Sequence, residues 1–210
     1  MIHRVSPYAG FPLDQWPLDI RGWGYDSPVF KEVIESVRPE KIIEVGSWKG
    51  ASALHMAQLL DGCRIDGEIV CVDTWLGTAD SWLGIDAPDG GVTLKWGHPT
   101  LYHQFMANIL HSQRSDVITP LPLDSLNAAR FFKTRGMIAD LIYIDASHDY
   151  HCASADINSF WDVLRPRGIF LGDDYSLHWP GVVRAVLDFA DAKRLSVGLH
   201  HPGKWIIQKP

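Results

Sequence analysis

The residues best able to do chemistry in this chain stand at the ends of short apolar runs. Asp73 closes Glu68-Ile-Val-Cys-Val-Asp73. Asp145 closes Ala139-Asp-Leu-Ile-Tyr-Ile-Asp145, with His148 three residues on, and Asp173-Asp174 follows Gly168-Ile-Phe-Leu-Gly172. Carboxylates gathered at one place raise one another's pKa unless a cation is near. The local sequence gives these acids no basic partner, so Asp145, Asp173 and Asp174 read as an oxygen-only set suited to Mg²⁺ or another hard divalent ion. Such an ion could orient a substrate hydroxyl and lower its pKa. His148, a side chain with an ordinary pKa near ~6.5, could then take the proton.

A fourth apolar run, Lys41-Ile-Ile-Glu-Val45, ends in the turn Gly46-Ser-Trp-Lys-Gly50. Its spacing is G-x-x-x-G, not the G-x-G-x-x-G of dinucleotide sites. A pyrophosphate needs bare backbone at the middle glycine, and here Trp48 occupies that place. Asp73 ends the next run, where an acid can accept both hydroxyls of a ribose. A nucleoside without phosphates, held by a glycine turn and an acid, points to S-adenosylmethionine, whose cationic sulfonium suits acidic surroundings. Lys49 reads as a solvated first-turn residue, Asp149 as a solvated or capping acid, and His151 as an exposed residue at a helix start.

The elements that must position these residues alternate along the chain. Val29, Val33, Ile34 and Val37 mark one face of a helix ended by Pro39. Strands are expected at Lys41–Val45, Glu68–Asp73, Asp116–Leu121, Ala139–Asp145 and Gly168–Asp173. Helices are expected over Ser52–Leu60, Thr100–Leu110, Asp124–Phe132, Ala153–Leu164 (stopped by Arg165-Pro-Arg-Gly168) and Val182–Ala190. Arg194–Leu199 and Trp205–Gln208 read as a terminal hairpin. Strand-helix alternation implies an α/β domain with a mostly parallel sheet, helices on both faces and an antiparallel hairpin at one edge. Ligands in such sheets sit beyond the carboxyl ends of the strands, where the acids fall. Residues 1–27, rich in Pro, Gly and aromatics, read as an irregular cover. Residues 76–97 are long for a plain connection and read as a lid or acceptor-site insertion.

The sequence has 210 residues, 46% hydrophobic and 21% charged, which fits one globular domain over 1–210 and excludes a disordered or fibrous chain. A net charge of −6 without a Lys/Arg cluster disfavours nucleic acid as a partner. No apolar run approaches the ~20 residues that cross a bilayer. Three cysteines in no spaced pair read as reduced thiols of a cytoplasmic protein. The aromatic N-terminal segment could reach a neighbouring copy in a homo-oligomer.

Ile43-Glu-Val-Gly-Ser-Trp-Lys-Gly-Ala-Ser-Ala-Leu54, Val72-Asp73, Asp145-Ala-Ser-His148 and Gly172-Asp-Asp-Tyr175 together resemble the class I S-adenosylmethionine-dependent methyltransferases. The likeness is closer to metal-dependent O-methyltransferases of the catechol type. It is closer still to the family of macrolide-sugar O-methyltransferases that act on macrocin and mycinamicin. It spans about residues 28–208 and implies a Rossmann-like methyltransferase fold with a seven-stranded sheet. It also implies S-adenosylmethionine and Mg²⁺ as cofactors and a small hydroxylated molecule as acceptor.

Glu44, Gly46, Ser47, Trp48 and Gly50 would lie at the cofactor with Asp73, Thr74, Trp75 and Asp145, with Asp124 and Ser125 near the adenine. Asp145, Asp173 and Asp174 would hold the metal. His148, with Asp145, would be catalytic, where the catechol enzymes carry a lysine. Asp174 stands where those enzymes have asparagine. Trp75, Trp82, Trp96 and Trp179 could wall the acceptor pocket or pack the lid. Three other readings compete: a nicotinamide oxidoreductase, which Trp48 opposes; a metal-dependent hydroxylase-like enzyme, for which His148 and Asp145 are part of a ligand set; and a catalytically inactive S-adenosylmethionine-binding protein.

Overall fold

The structure, a computed structural model, describes residues 2–84, 92–200 and 202–210. In chain order it has α1 (Pro28–Val37), β1 (Lys41–Val45), α2 (Ala51–Gly62), β2 (Glu68–Asp73), α3 (Ala79–Leu83), β3 (Leu94–Lys95), β4 (His98–Pro99), α4 (Leu101–His111), β5 (Ile118–Pro122), α5 (Ser125–Arg135), β6 (Ala139–Ile144), α6 (Tyr150–Trp161), β7 (Leu164–Gly172), α7 (Pro180–Lys193), β8 (Gly198–His200) and β9 (Lys204–Gln208). The main sheet has seven strands in the order β5-β2-β1-β6-β7-β9-β8. Its first five are parallel; β9 runs antiparallel to β7 and to β8. This is the α/β arrangement expected from the alternation, and the seven-stranded Rossmann-like fold that the resemblance implied.

The strands are apolar almost throughout because both faces are covered. Side chains alternate between the faces. Ile43, Val45, Val70, Val72, Ile142, Ile144 and Phe170 pack against α5, α6 and α7. Ile42, Ile69, Cys71, Leu141, Tyr143 and Leu171 pack against α1, α2 and α4. At roughly 1.5–3 kcal/mol for each fully buried large apolar side chain, the two layers fix the register of the sheet.

The N-terminal segment is pinned over the second layer by a few polar ties. Tyr8 donates its hydroxyl to the Ile118 carbonyl at 2.8 Å, and Asn108 holds Asp19 through two hydrogen bonds of 2.9 Å. Lys49 is not solvated as expected: it pairs with Asp19 at 2.7 Å.

Residues 164–168 also depart from expectation. The helix before them ends at Trp161, and Leu164 already pairs with Ala139 as the start of β7. A register shift between Ala139 and Leu141 absorbs the following residues; Arg167 takes a left-handed φ of 62°, and Arg165 reaches back to Asp140. Pro166 and Gly168 therefore mark a bulge in a strand, not a stop between elements. Within 76–97 lie α3 and β3, which pairs with β4 just beyond, while residues 85–91 fall outside the described residues. No helix of the described residues is long and apolar enough to cross a membrane.

Candidate active site

The register of the sheet assembles the site. Val45 lies beside Val72 on one side and Ile144 on the other, and Ile144 lies beside Gly172. The next residue of each strand therefore falls on one edge: Gly46, Asp73, Asp145 and Asp173. Three hydrogen bonds continue the ladders to that edge: Gly46 N–H to Val72 O at 2.9 Å, Asp145 N–H to Val45 O at 2.8 Å and Asp173 N–H to Ile144 O at 3.0 Å.

The glycine turn hangs on Asp73. One carboxylate oxygen accepts the backbone N–H groups of Ser47 (3.0 Å) and Trp48 (2.9 Å), and the other accepts that of Trp75 (2.7 Å). Burial pushes the Asp73 pKa up, and these backbone donors pull against it. Gly46 is compulsory on two counts. Its φ is +85°, and a Cβ there would lie 1.9 Å from the Asp145 carbonyl oxygen. Trp48 is held at φ 42°, Trp75 at 52° and Asp174 at 62°. Three strained non-glycine residues thus line one edge, as functional sites often show.

The acids of β6 and β7 do meet, but not alone. Lys204, at the first position of β9, pairs its ammonium with Asp173 and donates to the Tyr143 hydroxyl at 2.9 Å. Tyr143 in turn donates to Asp145 at 2.8 Å and lies 3.3 Å from Asp173. Burial, and then the Asp173 charge, push the Asp145 carboxyl up to about 7. His148 places Nε2 3.0 Å from Asp174, and its ring stacks on Trp179 with centroids 3.9 Å apart. Among the described residues, no three His, Cys, Asp or Glu side chains come together to hold a metal ion.

The expected Mg²⁺ set of Asp145, Asp173 and Asp174 therefore does not fit: Asp173 is held by a buried lysine, Asp174 faces His148 and Asp145 takes the Tyr143 hydroxyl. The premise that the acids lack a cation fails because β9 is antiparallel. Gly172 pairs with Trp205, so the amino end of β9 reaches the edge where the parallel strands end. The antiparallel terminal hairpin, already legible in the sequence, is the signal that points to Lys204 at the acid edge.

The other expected residues separate into two layers. Ser47, Gly50 and the exposed Thr74 belong to the turns at the edge. Glu44 is wholly buried beneath the turn, bonded by the Ser52 hydroxyl and by the Cys71 thiol at 3.3 Å, and burial pushes its pKa up. The Trp75 side chain is 1% exposed; its indole N–H donates to the Trp48 carbonyl at 2.8 Å, and its ring packs on Tyr102 and Phe105. Glu44 and Trp75 thus support the turn from below and do not present side chains to a ligand. Asp124 caps α5 by accepting the Asn127 N–H at 2.9 Å, and Ser125 donates its hydroxyl to the buried Asp156. Of the tryptophans weighed as pocket walls, Trp82 and Trp96 are exposed, and Trp179 covers His148.

A family profile described as a methyltransferase domain matches residues 43–175, the span from β1 through the acids after β7. An uncharacterized protein, y4gI, of Sinorhizobium fredii is 26% identical over 152 residues, 72% of this chain; the chain spans about 15% of that protein's length. Among solved structures, the O-methyltransferase of Bacillus cereus with bound S-adenosylhomocysteine aligns with a TM-score of 0.60 at 17% identity, over 93% of this chain and 86% of that one. The calicheamicin methyltransferase CalS11 aligns with a TM-score of 0.62 at 19% identity, over 86% and 76% of the two chains. TomG of Streptomyces achromogenes, an O-methyltransferase of tomaymycin synthesis with bound S-adenosylmethionine, gives 0.61 at 11% identity, over 92% and 82%.

Proposed function

We propose that this chain, which belongs to the methyltransferase domain family, transfers a methyl group from S-adenosylmethionine to a hydroxyl oxygen of a small molecule, a sugar or natural-product scaffold. The carrying observation is that His148, paired with Asp174 and stacked on Trp179, lies at the same sheet edge as the Asp73-held turn. Bound there, S-adenosylmethionine supplies an electrophilic methyl group on a cationic sulfur. The donor set fits it: Asp73 keeps lone pairs beyond the three it gives to backbone N–H groups, enough for ribose hydroxyls, and the acidic edge favours a sulfonium.

His148 accepts the proton of the acceptor hydroxyl as the oxygen attacks. The Asp174 carboxylate stabilises the imidazolium that forms, and the Trp179 face holds the ring in plane. Alignment of hydroxyl and methyl along one line supplies much of the rate, because effective molarities for well-oriented groups reach ~10⁵ M or more. No step passes through a divalent ion. The natural-product setting of CalS11 and TomG supports the acceptor class.

Calorimetric titration of S-adenosylmethionine into the purified protein, with and without chelator, tests the reading. Micromolar binding in both, lost in Asp73→Ala, together with transfer of labelled methyl to hydroxylated acceptors, is expected. The absence of binding in both conditions would refute it.

A further inference from the structure

Lys204 is 1% exposed, and its side chain is wholly shielded from solvent. A buried ammonium is costly unless charge and hydrogen bonds compensate it. Here the compensation comes from three separate parts of the chain, and a fourth closes over the site. Asp173 pairs with Nζ from the end of β7, and the Tyr143 hydroxyl accepts from it at 2.9 Å from β6. The Phe30 ring of α1 lies 5.4 Å from Nζ and the Tyr143 ring 5.1 Å, both within cation–π range. Gly24 of the N-terminal cover closes the fourth side: a Cβ there would stand 3.5 Å from Nζ and 3.8 Å from Asp173 Oδ2.

We propose that Lys204 is the resident cation of this acid edge, in the role a divalent ion would fill, and positions Asp173 and, through Tyr143, Asp145. Lys204, wholly buried, is a positioning residue that makes the edge independent of metal. The inference rests on the methyltransferase reading for the edge's purpose, but the occupancy of Asp173 is independent of it.

The test is Mn²⁺ binding followed by electron paramagnetic resonance on the full chain, with S-adenosylmethionine titrated into the same preparation in chelator. The wild-type protein is expected to leave Mn²⁺ free at micromolar concentrations. Lys204→Met, which keeps length but removes charge, is expected to bind Mn²⁺ about tenfold more tightly or better, since the three acids then lack a cation. Micromolar Mn²⁺ binding by the wild type, abolished in Asp173→Asn, would overturn the proposal, as would a folded Lys204→Met with no gain in Mn²⁺ affinity.

If Lys204→Met does not fold, the double variant Asp173→Asn/Lys204→Met decides. It leaves no uncompensated buried charge at the pair and is expected to melt well above the single variant. A double variant no more stable than the single one refutes the pairing. Failure to bind S-adenosylmethionine while Mn²⁺ stays free would sink the cofactor reading and leave Lys204 in place, so the two failures are distinguishable.

Discussion

Replacing Asp156 by Asn is expected to stabilise the protein, and only above a defined pH. Asp156 lies on α6, is 4% exposed and accepts the Ser125 hydroxyl at the start of α5. Burial pushes its pKa from an ordinary 3.8 up to about 6; the Ser125 hydrogen bond opposes the shift, and the Asp149 and Asp124 charges add to it. Between those two values the native state binds more protons than the unfolded chain, so stability falls as pH rises through the window. Below it the neutral acid costs little. Above it the full penalty of a buried carboxylate is present, about 3 kcal/mol at ~1.4 kcal/mol per pH unit. Asparagine keeps an oxygen for Ser125 and cannot ionise. The variant should therefore match wild type near pH 4 and exceed it by about 2–3 kcal/mol at pH 7.5. Urea titrations at several pH values, followed by the emission of the nine tryptophans, measure the difference. A difference that stays flat across the range would refute the reasoning, as would a wild type that is more stable at pH 7.5.

Four further outcomes follow from the site. Asp73→Asn removes the charge and sets an amide NH2 against one of the backbone N–H donors that both carboxylate oxygens now accept, so S-adenosylmethionine affinity by calorimetry should fall about tenfold to a hundredfold; unchanged affinity would remove Asp73 from the cofactor site. His148→Ala should lower kcat by about 10²–10⁴ with little change in cofactor affinity, and Trp179→Ala should lower it less, with equal loss in both refuting the positioning role given to Trp179. Gly46→Ala places a Cβ 1.9 Å from the Asp145 carbonyl oxygen, so no folded protein should accumulate; a cooperative melt near the wild-type temperature would contradict the register at β1 and β6.

How much could be read before folding depended on how local each cause was. The bounds of β1 and β2 were legible because apolar runs between Pro39, Gly46 and Gly67 leave the backbone few other choices. Asp124 and Asp149 are caps for reasons contained within three residues. The carboxyl-end rule brought Asp73, Asp145 and Asp173 to one edge because parallel strands all finish there. What escaped had partners far along the chain. Lys49 meets Asp19 from an irregular segment, and Trp75 looked like a pocket wall because an aromatic just past a strand has no periodicity to say which way it faces.

Lys204 escaped for a deeper reason. An inventory of carboxyl ends counts only what parallel strands deliver, and the one strand that reverses brings its amino end to the same place. Its residue there is a cation, 31 positions from the acid it neutralises. An excess of carboxylates at a parallel edge, seen without a base in the local sequence, is therefore a reason to look first at the antiparallel neighbour and only then to a metal.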